Sequence, residues 1–459
     1  MKSRTNKEHQ GMGPEINVPW TPRHRWQRRL RHLPLLQRSQ WRRQAVLWCG
    51  AVLIAVVAVL FARGADAAQQ GFFTLLAGRP LLAFVISPLG LGLSVWLTHK
   101  VFRGAQGSGI PQAIAAMHVE DAGQIGRVLS LRIGAGKILL TLLGLLSGAS
   151  IGREGPTVQV GASIMHSMGR LLGRPSIEVQ RMLVLAGGAA GISAAFNTPL
   201  AGVVFAIEEL AHSFQQRASG VVLTTLILGG ITTIALAGNY TYFGQAGVMI
   251  VSAKDWLAVL PCALIGGLGG GLFAGGLVWA SSGLPGPLGR FVMRHPVLFA
   301  MLCGVVLAVL GTLTGGATYG TGYPQARALV EGHDTLGLGF TLGKFAANVV
   351  SYLAGIPGGI FAPSLAVGAG IGASLHGLIP SIPLGVFVLL GMVGYFSGAV
   401  QTPITATIIV MEMTNDQEMT IPLLATAFLA FGVSKLVCGR PFYTGLARSF
   451  LVAFQRRKI

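Results

Sequence analysis

The stretch Gly152-Arg153-Glu154-Gly155-Pro156 places an arginine and a glutamate between two apolar segments, at about 133–149 and 157–173. Proline is favoured at the first positions of a helix, so we expect a helix to start here. The Glu154 carboxylate would then compete with any anion attracted by the free N–H groups of the helix start, and protonation would remove that competition. An ordinary helix-start carboxylate paired with Arg153 is the alternative. Glu154 is therefore a candidate gate for an anion.

The composition argues against a water-soluble fold. Of the 459 residues, 52% are hydrophobic and 11% are charged, with a mean hydropathy of +0.64. Soluble domains usually carry about 25% charged residues. The chain also has 66 Gly and 22 Pro, so its helices should pack closely and be interrupted often, which lipid allows only where the freed backbone is buried or lines a cavity. This composition is typical of a transporter.

Thirteen apolar stretches follow one another along the chain, and several are shorter than the roughly 20 helical residues that a membrane crossing needs. We predict an all-α, multi-span membrane protein in which the short stretches are broken or re-entrant helices that meet inside the protein. The stretches lie at about 45–62, 72–98, 133–149, 157–173, 181–212, 219–238, 256–280, 296–314, 340–356, 358–376, 382–400, 402–413 and 420–438.

An internal repeat indicates two related halves, at about 45–215 and 250–438, with a site at their interface. Whether the repeat is inverted stays open at this point. Adding 204 to Gly187, Ser193, Thr198, Pro199 and Glu208 gives Gly391, Ser397, Thr402, Pro403 and Glu412.

The charge pattern predicts that both ends of the chain lie in the cytoplasm. Between residues 2 and 43 there are eleven basic residues against Glu8 and Glu15. This tail is either a solvated segment or a nucleic-acid arm. It abuts an apolar segment that starts near Ala45, which fits the positive-inside rule, so we expect a cytoplasmic tail and no nucleic-acid partner. The cluster 456–458 argues the same for the C-terminus. We expect a tail at 1–43, a membrane domain at 44–450 and a short C-terminus at 451–459, with no cleavable signal peptide.

The repeat separates two neighbouring glutamates. Glu208 matches Glu412, which favours a structural role for both, whereas Glu209 matches Met413. A carboxylate at the bilayer centre costs on the order of 3 kcal/mol or more, so it needs a partner, a cavity or a proton. We expect Glu209 to handle protons, with a solvated helix end as the alternative.

The remaining polar residues give no sign of a metal, a cofactor or an enzyme. Four histidines near apolar segments lack metal-ligand spacing and are expected to be interfacial or core residues, and four scattered cysteines are expected to be small core residues. Basic residues of the body are expected to draw anions or, in most cases, to be solvated or snorkelling. These residues are His118, His166, His212 and His376; Cys49, Cys262, Cys303 and Cys438; and Arg132, Lys137 and Lys344.

Three motifs together resemble the CLC family of chloride channels and chloride/proton antiporters. They are Gly107-Ser108-Gly109-Ile110-Pro111, Gly152-Arg153-Glu154-Gly155-Pro156 and Gly359-Ile360-Phe361-Ala362-Pro363, and Phe442-Tyr443 follows near the C-terminus. The likeness covers about residues 45 to 450. Since the chain stops soon after Tyr443, without room for paired CBS domains, it is similar to the compact prokaryotic members.

The resemblance implies a multi-pass homodimer in a bacterial inner membrane, each subunit having its own anion pathway and two inverted halves. It also implies that chloride is held by the Ser108 and Tyr443 hydroxyls and by the backbone N–H groups of Ile360 and Phe361. Hydroxyls and helix-end amides bind a halide without the deep trap that a full positive charge would make. Ser108 favours chloride over nitrate.

By the same resemblance, Glu154 is the external gate and Glu209 the internal proton-transfer residue of a chloride/proton antiporter. A passive, gated chloride channel that uses the same pathway is the alternative. The family's first motif usually continues with two acidic residues where this chain has Gln112 and Ile114. These two departures weaken the prediction of a cytoplasmic carboxylate network that feeds protons to Glu209.

Two other function classes are less well supported. An intramembrane hydrolase would need a base beside Ser108, and the sequence places no His or Lys there. A cation transporter would use buried carboxylates, but helix starts, Gly-rich turns and hydroxyls gather where an anion is favoured.

Overall fold

The computed structural model describes residues 38–119, 121–173, 175–210, 220–238, 241–250, 252–333 and 336–456. Within these residues there are nineteen α-helices and no strand, which agrees with the predicted all-α class. The helices are α1 Arg38–Leu76, α2 Ala83–Lys100, α3 Ile110–His118, α4 Ala122–Ile125, α5 Leu131–Leu146, α6 Glu154–Gly169, α7 Ile177–Phe196, α8 Pro199–Phe205, α9 Gly220–Ala237, α10 Val259–Ser281, α11 Gly286–Arg294, α12 Pro296–Leu313, α13 Tyr323–Val330, α14 Leu338–Leu353, α15 Phe361–His376, α16 Leu384–Val400, α17 Pro403–Thr414, α18 Thr420–Val437 and α19 Phe442–Arg456.

Residues from Val46 onward form one compact unit. Of the preceding unit, residues 1–45, the structure describes only the first turns of α1. The predicted basic tail at 1–43 therefore lies almost entirely outside the described residues, as do the last three residues of the C-terminus.

Helix lengths in the described chain fit a membrane fold with broken helices. Six helical segments are long and apolar enough to cross a membrane. The helices α6 and α15 have 16 residues each, which is about 24 Å at 1.5 Å per residue and falls short of a hydrocarbon core of about 30 Å. Both begin at fully buried residues, Glu154 and Phe361. The prediction of short helices that start inside the protein is thus confirmed.

The repeat predicted from the sequence is visible in the backbone. Helix α7 ends at Phe196 and α16 ends at Val400, which is 204 residues later. The next residue of each half, Asn197 or Gln401, is left-handed with φ of 56° or 64°. A Thr-Pro pair then starts α8 and α17. Each half therefore ends one helix and starts the next with the same backbone turn.

The two halves bind each other at these turns through Glu208 and Glu412. The Glu208 carboxylate accepts the N–H groups of Ile404 and Thr405, at 3.2 and 2.6 Å. Glu412 accepts those of Leu200 and Ala201, at 3.3 and 2.7 Å. Each glutamate thus satisfies the free amides at the start of a helix in the other half. The structural role predicted for this matched pair is confirmed.

Glycines allow the helices of each half to approach closely. A Cβ on Gly187 of α7 would lie 2.4 Å from the Gly161 carbonyl oxygen of α6. In the second half, a Cβ on Gly391 of α16 would lie 2.4 Å from the Gly368 carbonyl oxygen of α15. Contacts of this kind bring α6 and α15, whose first residues form the site, against the buried helices α7 and α16.

The cysteines follow the prediction with one exception. Cys262, Cys303 and Cys438 are buried and free, as expected of core residues. Cys49 is exposed, so the prediction is wrong for this residue. It lies on α1, where the faces of a membrane helix that do not pack on protein meet lipid.

Candidate functional site

Backbone hydrogen bonds bring the three motifs together. Gly152 and Gly359 exchange two N–H···O bonds of 2.7 Å each, which forms an isolated antiparallel bridge. The adjacent Gly358 N–H donates to the Gly107 carbonyl at 3.1 Å. The motifs at residues 107–111, 152–156 and 359–363 are far apart in sequence. Through these hydrogen bonds they meet at one point, where α6 and α15 begin.

A buried lysine holds the loop that carries Ser108. Lys137 on α5 donates to the carbonyls of Gly107, at 2.8 Å, and Gln106, at 3.2 Å. Lys344 on α14 makes the matching contacts in the second half, with the Thr318 and Gly320 carbonyls at 3.1 and 2.7 Å. Both lysines are fully buried. The expectation that the body's basic residues are solvated or snorkelling is therefore wrong for this pair, because carbonyl groups replace water around the ammonium groups.

Gln112, one of the two departures from the family pattern, also supports this loop. Its Nε2 donates to the Gln106 carbonyl at 2.5 Å. An ionised glutamate at this position could not donate, so the amide suits the loop better than the acid does. The second departure, Ile114, is buried in the apolar core. Neither residue offers a carboxylate for protons.

The hydroxyls of Ser108 and Tyr443 converge within the protein. Both side chains are buried, and the two hydroxyls lie close enough to interact. Within the described chain neither has a hydrogen bond of normal geometry. Ser108 Oγ is also packed so tightly on α6 that a Cβ on Gly155 would lie 2.3 Å from it. Two buried hydroxyls with spare hydrogen-bonding capacity suit an ion between them.

The start of α15 adds backbone donors next to these hydroxyls. Ile360 caps the helix, and Phe361 is its first residue, so their N–H groups have no partner within the helix. The Phe361 ring lies 5.9 Å from the Tyr443 ring, 4.9 Å from Phe396 and 5.7 Å from Phe196. This aromatic packing fixes the helix start and keeps its amides beside Tyr443.

Glu154 is the first residue of α6 and is fully buried, as predicted for a helix start at this motif. Its Oε1 accepts a hydrogen bond from the Tyr323 hydroxyl at 2.6 Å. Its Oε2 has no partner among the described residues and lies so near Gly152 that a Cβ there would be 2.2 Å away. The carboxyl thus occupies the space beside the Gly152–Gly359 bridge.

The Arg153 side chain bonds groups other than its neighbour Glu154. Its guanidinium binds Asp66 at 2.7 Å, the Ala62 carbonyl at 2.6 Å and the Tyr242 hydroxyl. Among the described residues, Arg153 forms its ion pair with Asp66 and not with Glu154. The alternative in which Glu154 is an ordinary helix-start carboxylate paired with Arg153 therefore lacks support in the structure.

Glu209 lies in a single π-helical turn, Ala206–Leu210, that follows α8. It is buried, and its Oε1 has no hydrogen-bond partner in the part of the chain that the structure describes. The solvated helix end considered as its alternative does not fit this burial. The matching residue, Met413, lies in a regular α-helix. Tyr443 lies near both Glu209 and Glu154, so its side chain belongs to the surroundings of the two carboxylates.

Tyr323 was not among the residues predicted for the site. A signal for it exists, because Gly320-Thr321-Gly322-Tyr323-Pro324-Gln325 repeats Gly107-Ser108-Gly109-Ile110-Pro111-Gln112 at an offset of 213. In both segments a glycine with positive φ, Gly322 at 84° or Gly109 at 104°, precedes the first residue of a short helix. Tyr323 takes the place that Ile110 has in the first half.

A basic cavity lies next to the loop that leads to Ser108. It has a volume of about 590 Å³ and is lined by His99, Lys100, Arg103 and the backbone of the loop, among others. Positive side chains around a water-filled opening attract anions. Elsewhere, His118 contacts the Ile114 carbonyl and His376 packs on Phe387, and no group of three or more His, Cys, Asp and Glu gathers within the described ranges. His212 lies outside these ranges.

A membrane fold of broken helices that surrounds buried hydroxyls, free helix-start amides and a carboxylate defines an ion-transport protein. The chain belongs to the family described as the voltage gated chloride channel family, whose model matches residues 89–435. The fold is accordingly the CLC fold that the three motifs predict.

Individual relatives share both sequence and fold with the chain. It is 31% identical over 432 residues to an H(+)/Cl(-) exchange transporter ClcA of Yersinia pestis bv. Antiqua (strain Angola), covering 88% of this chain and 87% of the relative. It is 30% identical over 380 residues to a ClcA of Vibrio parahaemolyticus serotype O3:K6 (strain RIMD 2210633), covering 80% and 79%. The crystal structure of a slow cyanobacterial Cl-/H+ antiporter superposes with a TM-score of 0.75 at 26% identity, over 90% of this chain and 98% of that one. A CLC-type fluoride/proton antiporter, at 22% identity and a TM-score of 0.73, shares the fold over 88% of this chain and 96% of its own.

Proposed function

We propose that the protein exchanges chloride for protons across the membrane, with Glu154 as the external gate and Glu209 as the internal proton-transfer residue. The observation that carries this proposal is the Gly152–Gly359 bridge, because it places a carboxylate and a set of anion-binding groups at the same point. The names of the ClcA relatives and of the cyanobacterial antiporter support the same exchange.

Chloride binds between the Ser108 and Tyr443 hydroxyls and the backbone amides of Ile360 and Phe361. The groups are donors, the two hydroxyls have spare capacity, and the helix start adds a partial positive charge. Lys137 holds the loop from behind by donating hydrogen bonds to its carbonyl groups, which keeps the Ser108 hydroxyl in place. A halide is therefore attracted without direct contact with a full positive charge, so it can also leave.

Glu154 opens and closes the external side by changing its charge. As a carboxylate it occupies space beside the helix starts and repels an anion. On protonation it loses the charge, so chloride competes successfully for the amides. Each opening then takes up a proton, which couples proton movement to chloride movement.

Glu209 exchanges protons from the opposite side. It is buried in the π-helical turn, and its unsatisfied carboxyl oxygen is free to take up a proton. Such turns inside helices are frequent at functional sites. The nearness of Tyr443 to both carboxylates fits a proton path that runs past the central anion.

A passive, gated chloride channel is the second candidate. It is favoured by Gln112 and Ile114, which leave the surroundings of the Ser108 loop without the two acidic residues that the family motif usually has. The same chloride site and the same gate would serve a channel.

The assembly and the location belong to this proposal as well. We propose a homodimer in a bacterial inner membrane with both chain ends in the cytoplasm. The membrane location is supported by the six membrane-length helices, and the orientation by the basic residues near both ends. Apolar side chains exposed on α12 and α18, such as Leu313 and Leu436, suit lipid or a second copy.

The reversal potential of the purified protein in liposomes separates the two candidates. With a chloride gradient and an imposed pH gradient, an exchanger reverses at a potential set by both ions. A reversal potential that follows the chloride Nernst potential and ignores pH would support the channel.

A further inference from the structure

We propose that Tyr323 is a positioning residue whose hydroxyl stabilises the ionised form of Glu154. This contact, the latch, sets the pH at which the gate opens. The inference rests on the proposed role of Glu154 as the gate. It adds a residue that belongs to the second half of the chain and that none of the three family motifs contains.

The contact itself is short and isolated. The Tyr323 hydroxyl lies 2.6 Å from Glu154 Oε1, and both side chains are buried. The other carboxyl oxygen has no hydrogen-bond partner in the described ranges. Tyr323 is thus the one side-chain donor to this carboxyl that the described chain provides, and no other hydrogen bond offsets its loss.

The hydroxyl is held in place by its own surroundings. The Tyr323 ring packs 4.9 Å from the Tyr242 ring and 5.2 Å from the Phe243 ring, and the Arg153 guanidinium lies over it at 5.8 Å. The preceding loop is tied to Lys344 through the Gly320 carbonyl. Gly322 has a φ of 84°, and a Cβ there would lie 2.6 Å from Ala366. The hydroxyl therefore keeps its position while the carboxyl moves or changes its charge.

The hydrogen bond acts mainly on the ionised state. A hydroxyl that donates to a carboxylate forms a charge-assisted bond, which is stronger than the bond to a neutral acid. Tyr323 thus stabilises the closed, ionised gate relative to the open, protonated one. The other charged or titratable groups facing this region remain when the hydroxyl is removed; they are Arg153 with Asp66, Tyr242, Tyr443 with Glu209 beyond it, and the lysines Lys137 and Lys344.

Removing the hydroxyl should open the gate in less acidic solution. A hydrogen bond to a charged group is worth enough to move the pH of half-maximal chloride flux by about one pH unit. We expect Tyr323→Phe to shift this pH upward by that amount while the maximal flux stays near the wild-type value.

The experiment is chloride efflux from liposomes between about pH 4 and pH 8, measured for the wild type, Tyr323→Phe and Tyr323→Ile, which copies the matching residue Ile110. Tyr319→Phe is the matched control, because it removes a hydroxyl that bonds the Ala308 carbonyl at 3.2 Å rather than Glu154. Both Tyr323 variants should shift the profile upward, and the control should not. In a Glu154→Gln background, Tyr323→Phe should cause no shift.

A Tyr323→Phe or Tyr323→Ile protein with the wild-type pH profile would overturn the latch, and so would a shift that persists in the Glu154→Gln background. The proposed exchange is tested separately by proton movement in the wild type. If the wild type moves no protons, exchange fails, yet the pH profile of its chloride flux still tests the latch.

Discussion

Glu208 and Glu412 occupy equivalent places in the two halves, and each caps the start of a helix in the other half. The two glutamates are 204 positions apart in sequence. They make the same kind of contact across the interface between the halves, once in each direction. This reciprocity also explains why Glu208 differs in role from Glu209, its neighbour in sequence.

Replacing either capping glutamate with glutamine should destabilise the protein. Hydrogen bonds to a charged acceptor contribute about 1.5–3 kcal/mol, so Glu208→Gln and Glu412→Gln should each lower the free energy of unfolding by roughly that amount. Thermal unfolding in detergent measures the effect. Glu178→Gln is the control, because this carboxylate lies at an exposed position in the first turn of its own helix α7 and, within the described chain, has no hydrogen bond to the other half; it should lower the unfolding temperature much less. Equal stability of all the variants would contradict the capping role.

Much of the fold was predictable because local patterns determine it. The apolar stretches and the Pro residues at helix starts predict where α6 and α17 begin, and the repeat predicts that Glu208 and Glu412 act alike. Glu154 came from the helix-start pattern and Glu209 from the repeat, whereas the chloride ligands came from the family motifs. The convergence of these residues needed the Gly152–Gly359 bridge, which no local pattern contains.

Other contacts of the site depend on residues that are distant in sequence. Tyr323 reaches Glu154 across 169 residues and Asp66 reaches Arg153 across 87. Composition and periodicity do not specify such pairs. The second Gly-x-Gly-x-Pro-Gln segment, Gly320–Gln325, was a readable signal for Tyr323. The burial of Lys137 and Lys344 was not predictable from charge alone, since basic residues in apolar chains usually reach water.

A methyl group at Gly155 should weaken chloride binding. In Gly155→Ala the new Cβ would fall 2.3 Å from Ser108 Oγ, so the hydroxyl must move from its place beside Tyr443. Because a hydrogen bond to an ion is lost or bent, affinity should fall about tenfold or more. Calorimetric titration with chloride measures this. Gly276→Ala on α10, where nothing lies within 4 Å of the added Cβ, is the matched control, and equal affinities of the two variants would argue against Ser108 as a ligand.

The basic cavity should speed the arrival of chloride. Neutralising Lys100 and Arg103, which line it, should reduce chloride flux several-fold at low ionic strength and much less at about 0.5 M of an impermeant salt, because screening removes long-range attraction. Flux at fixed chloride and varied ionic strength tests this. Lys254→Gln, at an exposed position away from the cavity, should have no such effect. A deficit that is independent of ionic strength would point to a change in the site instead.

Glu154→Ala should pass chloride without moving protons. The alanine removes both the competing charge and the proton acceptor, so chloride flux should lose its pH dependence and proton coupling should disappear. Parallel chloride-electrode and pH-electrode recordings from liposomes measure the ratio of the two fluxes. Glu178→Ala serves as the carboxylate control and should keep the wild-type ratio. Retained coupling in Glu154→Ala would remove this residue from the proton path.

Proton transport driven by a chloride gradient tests most directly whether Glu154 and Glu209 together make an exchanger. In liposomes with no pH gradient, the wild type should move protons opposite to the chloride flow, and Glu209→Ala should pass chloride with no proton movement. Chloride flow without protons in the wild type, or unchanged proton movement in Glu209→Ala, would contradict the proposed exchange.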